Sequence, residues 1–337
     1  MNQKTQAILF EGREQVALRE IELPEPQDDE LIVKMTASGV SVGTERWALL
    51  DQRPEMKYPY VTGYLGVGKV EWAGPKVEDF QVGDRIFTTD ARHIEPFQGN
   101  SWLATHCARA VVPTVCGGEW PPYVCKIPDA VSDAAAAMAG LAAVSVQGAD
   151  MLRVSAKDVA VVLGLGLIGQ SSVQVLRAKG ARVIAADLLP MRVEKALETG
   201  CDAAITLDKR PLSEQLAPYL PADGADIVVD TTAAPPVVLQ LASLLRRRGQ
   251  ILLQGYYPGH TIFDVASLHA KRPTLYVACS SDVESHRYAH RLLESGLMKL
   301  DSLVTHQVAA QKAPEIYRMV LEQPDEFLGI VFHWEEA

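Results

Sequence analysis

Apolar and polar positions fall into two textures along the chain. Up to about residue 130, short apolar runs partly alternate with polar residues and break at glycine or proline, the period-two pattern of half-buried strands. Gln6–Phe10 and Val16–Glu20 predict an opening hairpin with Gly12 near its turn, and Leu31–Ala37, Val67–Glu71, Val82–Phe87 and Ala108–Val112 predict further strands. Short strands with such punctuation predict a β-barrel-like unit. Two polar stretches interrupt it, Ser38–Trp47 (SGVSVGTERW) and Tyr58–Gly68 (YPYVTGYLGVG), and both read as loops. From about Ser132 the texture becomes an alanine-rich helix. Beyond it, apolar runs near 159–163, 182–186, 203–207, 225–229, 250–253 and 274–278 alternate with helical segments. That alternation predicts a doubly wound parallel sheet of α/β type with helices on both faces. After Val283 come a helix (HRYAHRLLESG), a strand near Leu303–Val308, a helix (APEIYRMVLEQ) and a last strand, Leu328–His333.

The stretch Val159–Asp187 carries the clearest chemistry. A buried strand stops at Gly164, and Gly164, Gly166 and Gly169 form G-x-G-x-x-G at the entry to a helix from about Ile168 to Lys179, with Leu167 and Ile168 also cofactor candidates. The first glycine permits the turn, the second lets backbone approach a pyrophosphate, and the third lets helix and strand pack closely. The helix start then offers unpaired N–H groups and the positive end of its dipole to phosphates. A second strand ends in Asp187, where a carboxylate takes the ribose hydroxyls of a dinucleotide. The same carboxylate repels a 2′-phosphate, which favours NAD(H). Arg182 and Arg192 lie close enough in sequence to leave NADP(H) open.

Composition narrows the partners. The chain has 337 residues, 48% hydrophobic and 22% charged, with a formal net charge of −10. It has room for two cores, and its acidity argues against nucleic acid or an anionic membrane as a main partner. The five cysteines include no C-x-x-C pair, which suits reduced thiols in a cytoplasm over disulfides or a structural zinc cluster. The opening MNQKTQAILF lacks the apolar core of a signal peptide. No long uninterrupted apolar run predicts a membrane span.

VGDRIF, the alanine-rich helix, GLGLIG, GADIVVD, RRGQILLQG and SLVTHQVAAQKAPEIYRMV, in this order, resemble the medium-chain dehydrogenases/reductases over essentially the whole chain. The resemblance implies a GroES-like catalytic domain (1–130), a Rossmann NAD(P)-binding domain (131–282), and a C-terminal return to the first (283–337). It also implies a homodimer or homotetramer, with Thr274–Ala278 as a pairing edge, and a small-molecule substrate.

The two polar loops depart from the zinc enzymes of that family. Ser41 takes the place of a cysteine ligand, Tyr64 that of a histidine, Leu65 that of a glutamate, Trp47 that of a later histidine and Ala139 that of another ligand. Such residues do not build the N/S/O shell of Zn²⁺, so no metal site is expected. The GVSVGTE and GY variants resemble a zinc-free subgroup that includes bacteriochlorophyllide a dehydrogenase.

Without metal, alkoxide stabilisation and proton delivery fall to side chains. Tyr64, Ser41, Thr44, His106 and His93 are the candidates. Glu45 is expected to make a structural ion pair with Arg46 or Arg85. Thr231, Thr232, Gly255 and Tyr256 follow strand ends on the cofactor side. Arg246–Arg248 are expected to close a helix on the opposite edge, and His286, His290 and His306 to lie at the surface. The implied function is NAD(H)-dependent interconversion of a secondary alcohol and a ketone. An NADPH-dependent enoyl or quinone reductase and a catalytically silent nucleotide-binding protein are the alternatives.

Overall fold

Chain order gives β1 (Lys4–Gly12), β2 (Gln15–Glu22), β3 (Glu30–Gly39), α1 (Val42–Leu49), β4 (Tyr60–Val61), β5 (Gly66–Ala73), β6 (Arg85–Thr88), β7 (Arg109–Pro113) and β8 (Val124–Lys126). Next come α2 (Asp133–Met151), β9 (Val159–Leu163), α3 (Leu167–Ala178), β10 (Arg182–Asp187), α4 (Pro190–Glu198), β11 (Ala203–Thr206), β12 (Ala225–Asp230), β13 (Leu245–Leu253) and β14 (Thr274–Val277). A helix over Val283–Glu294, β15 (Val304–Ala309), a helix over Ala313–Glu322 and β16 (Gly329–His333) complete the chain. This computed structural model describes residues 4–53, 56–98, 104–114, 123–257, 260–278 and 280–334. Cys116 and Cys279 lie outside them. Packing divides the chain into one unit of residues 1–140 with 304–337 and a second of residues 141–303.

In the first unit, β1 pairs antiparallel with β2 and β4, and a seven-stranded sheet runs β15-β16-β3-β5-β6-β8 with β7 also on β3. The opening hairpin is held by a run of β1 buried on both faces, Ala7, Ile8, Leu9 and Phe10, whereas Lys4 at its start and Arg19 on β2 face water. The core joins both ends of the chain. Phe10 packs edge-on against Tyr317 with ring centroids 5.0 Å apart, and Phe332 and Trp334 lie in the same cluster. Burying aromatics of this size dominates the packing energy of such a core.

In the second unit, six parallel strands run β11-β10-β9-β12-β13-β14. This is the doubly wound order, with its topological switch between β9 and β12, where ligands bind outside the carboxyl ends of the strands. β9 is buried along its whole length, as a central parallel strand requires.

Two segments differ from the sequence expectation. The first polar stretch is not a loop: β3 continues to Gly39 and α1 occupies Val42–Leu49. Its eight residues lack a clear amphipathic period, and the helix is fixed by burying Glu45, Ala48 and Leu49. Arg246–Arg248 do not close a helix. They lie within β13, where the pairing steps from Ala225↔Leu245 to Ile227↔Gln250 and Arg248 bulges at a φ of 60°. Among the described residues α2 is the one helix long and apolar enough to cross a membrane, and 78% of its most apolar window is buried inside the protein.

Candidate active site

In the first unit, the end of β3, the start of α1 and the segment entering β5 meet. The Ser41 Oγ and Tyr64 hydroxyl are hydrogen-bonded at 2.5 Å, and Thr44 Oγ1 stands 3.5 Å from the same phenol. Three of the sequence-selected hydroxyls therefore converge. Gly63 makes this possible. Its φ is +87°, and a Cβ there would stand 2.5 Å from the His106 ring, so only glycine lets the segment lie on that imidazole.

Behind the hydroxyls lies a buried network that the sequence reading missed. Trp334 Nε1 can only donate, and it does so to Ser38 Oγ at 2.9 Å. Ser38 then spends its own proton on His106 Nδ1 at 2.7 Å, leaving the proton of the ring on Nε2, 3.2 Å from Glu45 Oε2. That assignment follows from using every donor in the network. Tyr317 donates to the same carboxylate oxygen, and the Ser41 backbone N–H donates to Oε1 at 2.7 Å. Three donors converge on Glu45, whose side chain is 1% exposed. Glu45 thus pairs with neither Arg46 nor Arg85. Arg85 holds Asp133 at 2.5 Å, and the Glu45 carboxylate is anchored inside the unit because it is the acceptor that His106, Tyr317 and Ser41 share. No local sequence signal joins Ser38, Tyr317 and Trp334.

His93 is placed differently. It is buried, with Nε2 2.8 Å from the Ala104 carbonyl, and burial pushes its imidazole down to about 4. His286 and His290 are not at the surface either. They lie four residues apart on the inner face of the helix Val283–Glu294, 3% and 5% exposed, and burial lowers both. The i, i+4 spacing was the available signal. His306 is half-buried, its Nδ1 3.0 Å from Thr305 Oγ1.

In the second unit, the switch point is built around the glycines. A Cβ on Gly169 would stand 1.8 Å from the Gly164 carbonyl oxygen, so α3 can approach β9 this closely only through glycine. A Cβ on Gly166 would meet nothing within 4 Å, which leaves open space beside the first turn of α3. Gly166 caps α3 without a side-chain bond, so the N–H groups of Leu167, Ile168 and Gly169 have no partner within the helix. Asp187 Oδ2 accepts from Leu165 N–H at 2.6 Å and Oδ1 from Leu189 N–H at 2.9 Å, with Arg192 3.9 Å away. The carboxylate therefore braces the glycine turn, and each oxygen keeps a lone pair for a further donor.

Thr231 Oγ1 donates to the Gly164 carbonyl at 2.9 Å, tying the end of β12 to the turn after β9. Thr232 Oγ1 donates to Asp230 Oδ1 at 2.6 Å, and Tyr257 to Asp230 Oδ2 at 2.5 Å. Asp230 closes its strand as Asp187 closes β10, a parallel visible in GADIVVD. Gly255 follows β13 against Ala233, and Tyr256 is 55% exposed.

Hydroxyls fill the two loop positions, the nearby carboxylate and imidazole are already paired, and among the described residues no three His, Cys, Asp or Glu side chains converge to hold a metal ion.

A parallel sheet with a glycine turn at its switch point in one unit, and a GroES-like β unit bearing a hydroxyl cluster as the other, together make the two-unit fold of a dehydrogenase. The comparisons agree in detail. Residues 27–134 match the family described as alcohol dehydrogenase GroES-like domain, and residues 168–295 the family described as zinc-binding dehydrogenase. The chain belongs to the medium-chain dehydrogenase/reductase superfamily of oxidoreductases. It is 27% identical to 2-desacetyl-2-hydroxyethyl bacteriochlorophyllide A dehydrogenase of Cereibacter sphaeroides over 98% of each chain. It is 22% identical to L-galactonate-5-dehydrogenase of Escherichia coli, over 96% of this chain and 98% of that protein. A short chain alcohol dehydrogenase (rspB) of Escherichia coli, solved with the cofactor NADH, shares the fold with a TM-score of 0.85, 23% identity, and 98% and 99% coverage of this chain and that one.

Proposed function

We propose that this protein is a zinc-independent, NAD(H)-using dehydrogenase that interconverts a secondary alcohol and a ketone on a small or medium organic substrate. The observation that carries the reading is the Ser41–Tyr64–Thr44 hydroxyl cluster, two of whose members, Ser41 and Tyr64, take ligand places by the family resemblance. Oxidising a carbinol removes a hydride from carbon and a proton from oxygen, and a bound nicotinamide supplies the hydride acceptor. Tyr64 takes the carbinol proton as its own phenolic proton passes to the Ser41 or Thr44 hydroxyl and from there to water, so the three hydroxyls form a relay in which each gains one proton and gives one up. His106, through Glu45, fixes Ser41 in place, and His93 helps shape the same region of the unit.

The crevice fits a dinucleotide. The open space at Gly166 and the N–H groups of Leu167, Ile168 and Gly169 suit a pyrophosphate, and Asp187 suits ribose hydroxyls. Thr231, Thr232, Gly255 and Tyr256 border the nicotinamide end, and Arg192 the adenosine end. Support for the alcohol chemistry comes from the hydroxyethyl-oxidising and galactonate-oxidising relatives. Exposed Leu275 and Val277 on the edge strand β14 support pairing of two copies, as a homodimer or homotetramer.

Fluorescence titration should give tighter binding of NADH than of NADPH, and Asp187→Ser should narrow the difference. Turnover of secondary alcohols should survive exhaustive dialysis against a chelator. Activity that disappears with the metal and returns with Zn²⁺ refutes the metal-free reading. In Tyr64→Phe, turnover should fall more than about tenfold, roughly 1.4 kcal/mol of barrier, with NADH affinity unchanged. A smaller fall assigns the proton to another group.

A further inference from the structure

β5 and β6 are antiparallel, and Gly66 pairs with Thr88. The chain entering β5 through Tyr64 and Leu65 therefore runs beside the chain leaving β6 through Thr89 and Asp90. Thr105 joins the same strand end: its N–H donates to the Gly63 carbonyl at 2.9 Å, and its Cβ stands 2.9 Å from where a Cβ on Gly66 would be. Asp90 is held there by its backbone, with Thr88 Oγ1 donating to the Asp90 carbonyl at 2.8 Å.

Several buried side-chain atoms at this end are unpaired. Asp90 is 9% exposed and Thr105 is fully buried, yet Asp90 Oδ1 and Thr105 Oγ1 have no hydrogen-bond partner. Two neighbours add to the count. Thr62, whose carbonyl accepts the His106 N–H, and His93, bonded to the carbonyl next to Thr105, each bury an unpaired polar atom, Oγ1 and Nδ1. A buried polar group without a partner costs about 1–3 kcal/mol, and native folds rarely gather several unless something pairs with them. Burial pushes the Asp90 carboxyl up to about 7. No lysine or arginine is among the ion-pair partners of Asp90 among the described residues. A group that both donates and accepts, and carries no charge, is the best match for a carboxyl and a threonine hydroxyl.

We infer that Asp90 and Thr105 form a second polar subsite beside Tyr64 that takes a hydroxyl neighbouring the reacting carbinol, so the substrate class is a polyhydroxylated compound. This rests on the alcohol-oxidising reading proposed above. The subsite sets specificity: a diol fills it, and a simple alcohol leaves its polar atoms unpaired.

The test compares 2-butanol with 2,3-butanediol in the wild type, Asp90→Leu and Thr105→Val, the last being isosteric and safe for the fold. The wild type should favour the diol in kcat/KM by at least about tenfold. Each variant should lose most of that preference while its rate on 2-butanol stays within about twofold of the wild type. An unchanged preference, or an equal loss on both alcohols, overturns the subsite and leaves these atoms to buried water. A calorimetric titration of the NADH-saturated protein with erythritol separates the two proposals. Binding that depends on Asp90 and Thr105 in a protein that oxidises no alcohol sinks the dehydrogenase reading and keeps the subsite. Binding unaffected by both substitutions sinks the subsite.

Discussion

Replacing Glu45 with glutamine changes one oxygen to an amide nitrogen in a place where three donors meet. If the nitrogen takes the Oε1 position it faces the Ser41 N–H, donor against donor. If it takes the Oε2 position, the Tyr317 hydroxyl can turn and accept, but the His106 Nε2–H loses its acceptor. The second arrangement is the milder. Moving the proton to Nδ1 instead would strip Ser38 of the acceptor for its own hydroxyl, so the strain has no local exit. A hydrogen bond to a charged group contributes about 1.5–3 kcal/mol, and an abandoned buried donor costs about 1–3 kcal/mol. Removing a buried charge offsets part of this. The net expectation for Glu45→Gln is a loss of about 2–4 kcal/mol. In scanning calorimetry that corresponds to a melting temperature lower by about 5–15 °C for a unit of this size. Tyr317→Phe removes one of the three donors, so the double variant should lose less than the sum of the singles. A Glu45→Gln protein that melts within about 1 °C of the wild type, or strict additivity with Tyr317→Phe, refutes the shared-acceptor reasoning.

Two further outcomes follow from positions already described. Gly169→Ala places a Cβ 1.8 Å from the Gly164 carbonyl oxygen, so it should abolish dinucleotide binding in a fluorescence titration and lower the melting temperature; normal affinity would contradict the close packing of α3 on β9. Burial lowers His93 from its ordinary value to about 4, so the unfolded chain takes the proton first. Its stabilising contribution is complete above about pH 6.5 and is lost as pH falls towards 4, by about 2 kcal/mol at pH 5. His93→Gln, which keeps a donor for the Ala104 carbonyl, should flatten the melting temperature between pH 7 and 5 by that amount. An unchanged pH profile would place the acid sensitivity elsewhere.

The second unit was largely legible from its residues. G-x-G-x-x-G, the β-branched runs and the terminal Asp187 are local signals, and a parallel sheet needs little more to fix its strand order. The Arg246–Arg248 run misled because three arginines look like a helix end, whereas the bulge that admits them to β13 depends on the register of β12. The first unit was legible in its strands and less so in its site. Ser41 and Tyr64 could be picked out because they replace ligands, and Thr44 because it is a further hydroxyl in the same polar stretch as Ser41. α1 could not, since burial of Glu45, Ala48 and Leu49 fixes it rather than any helical period of its own. Glu45 was expected to pair with Arg46 or Arg85 because its real donors are Ser41, His106 and Tyr317, the last two far along the chain. Asp90 showed no local pattern at all: what sets it apart is a buried carboxyl oxygen, Oδ1, without a partner.

The joining of Phe10 and Ser38 to Tyr317 and Trp334 has a consequence for how the protein is made. As the nascent polypeptide leaves the ribosome, the segment 141–303 has every strand it needs and can close first. The unit that began earlier must wait with the edge of β3 open, its aromatic cluster half-assembled and the Glu45 carboxylate short of one donor, until β16 and Trp334 have been translated. Chaperone dependence and sensitivity to premature stops should therefore fall on the first unit, although most of its strands are translated before any of the second.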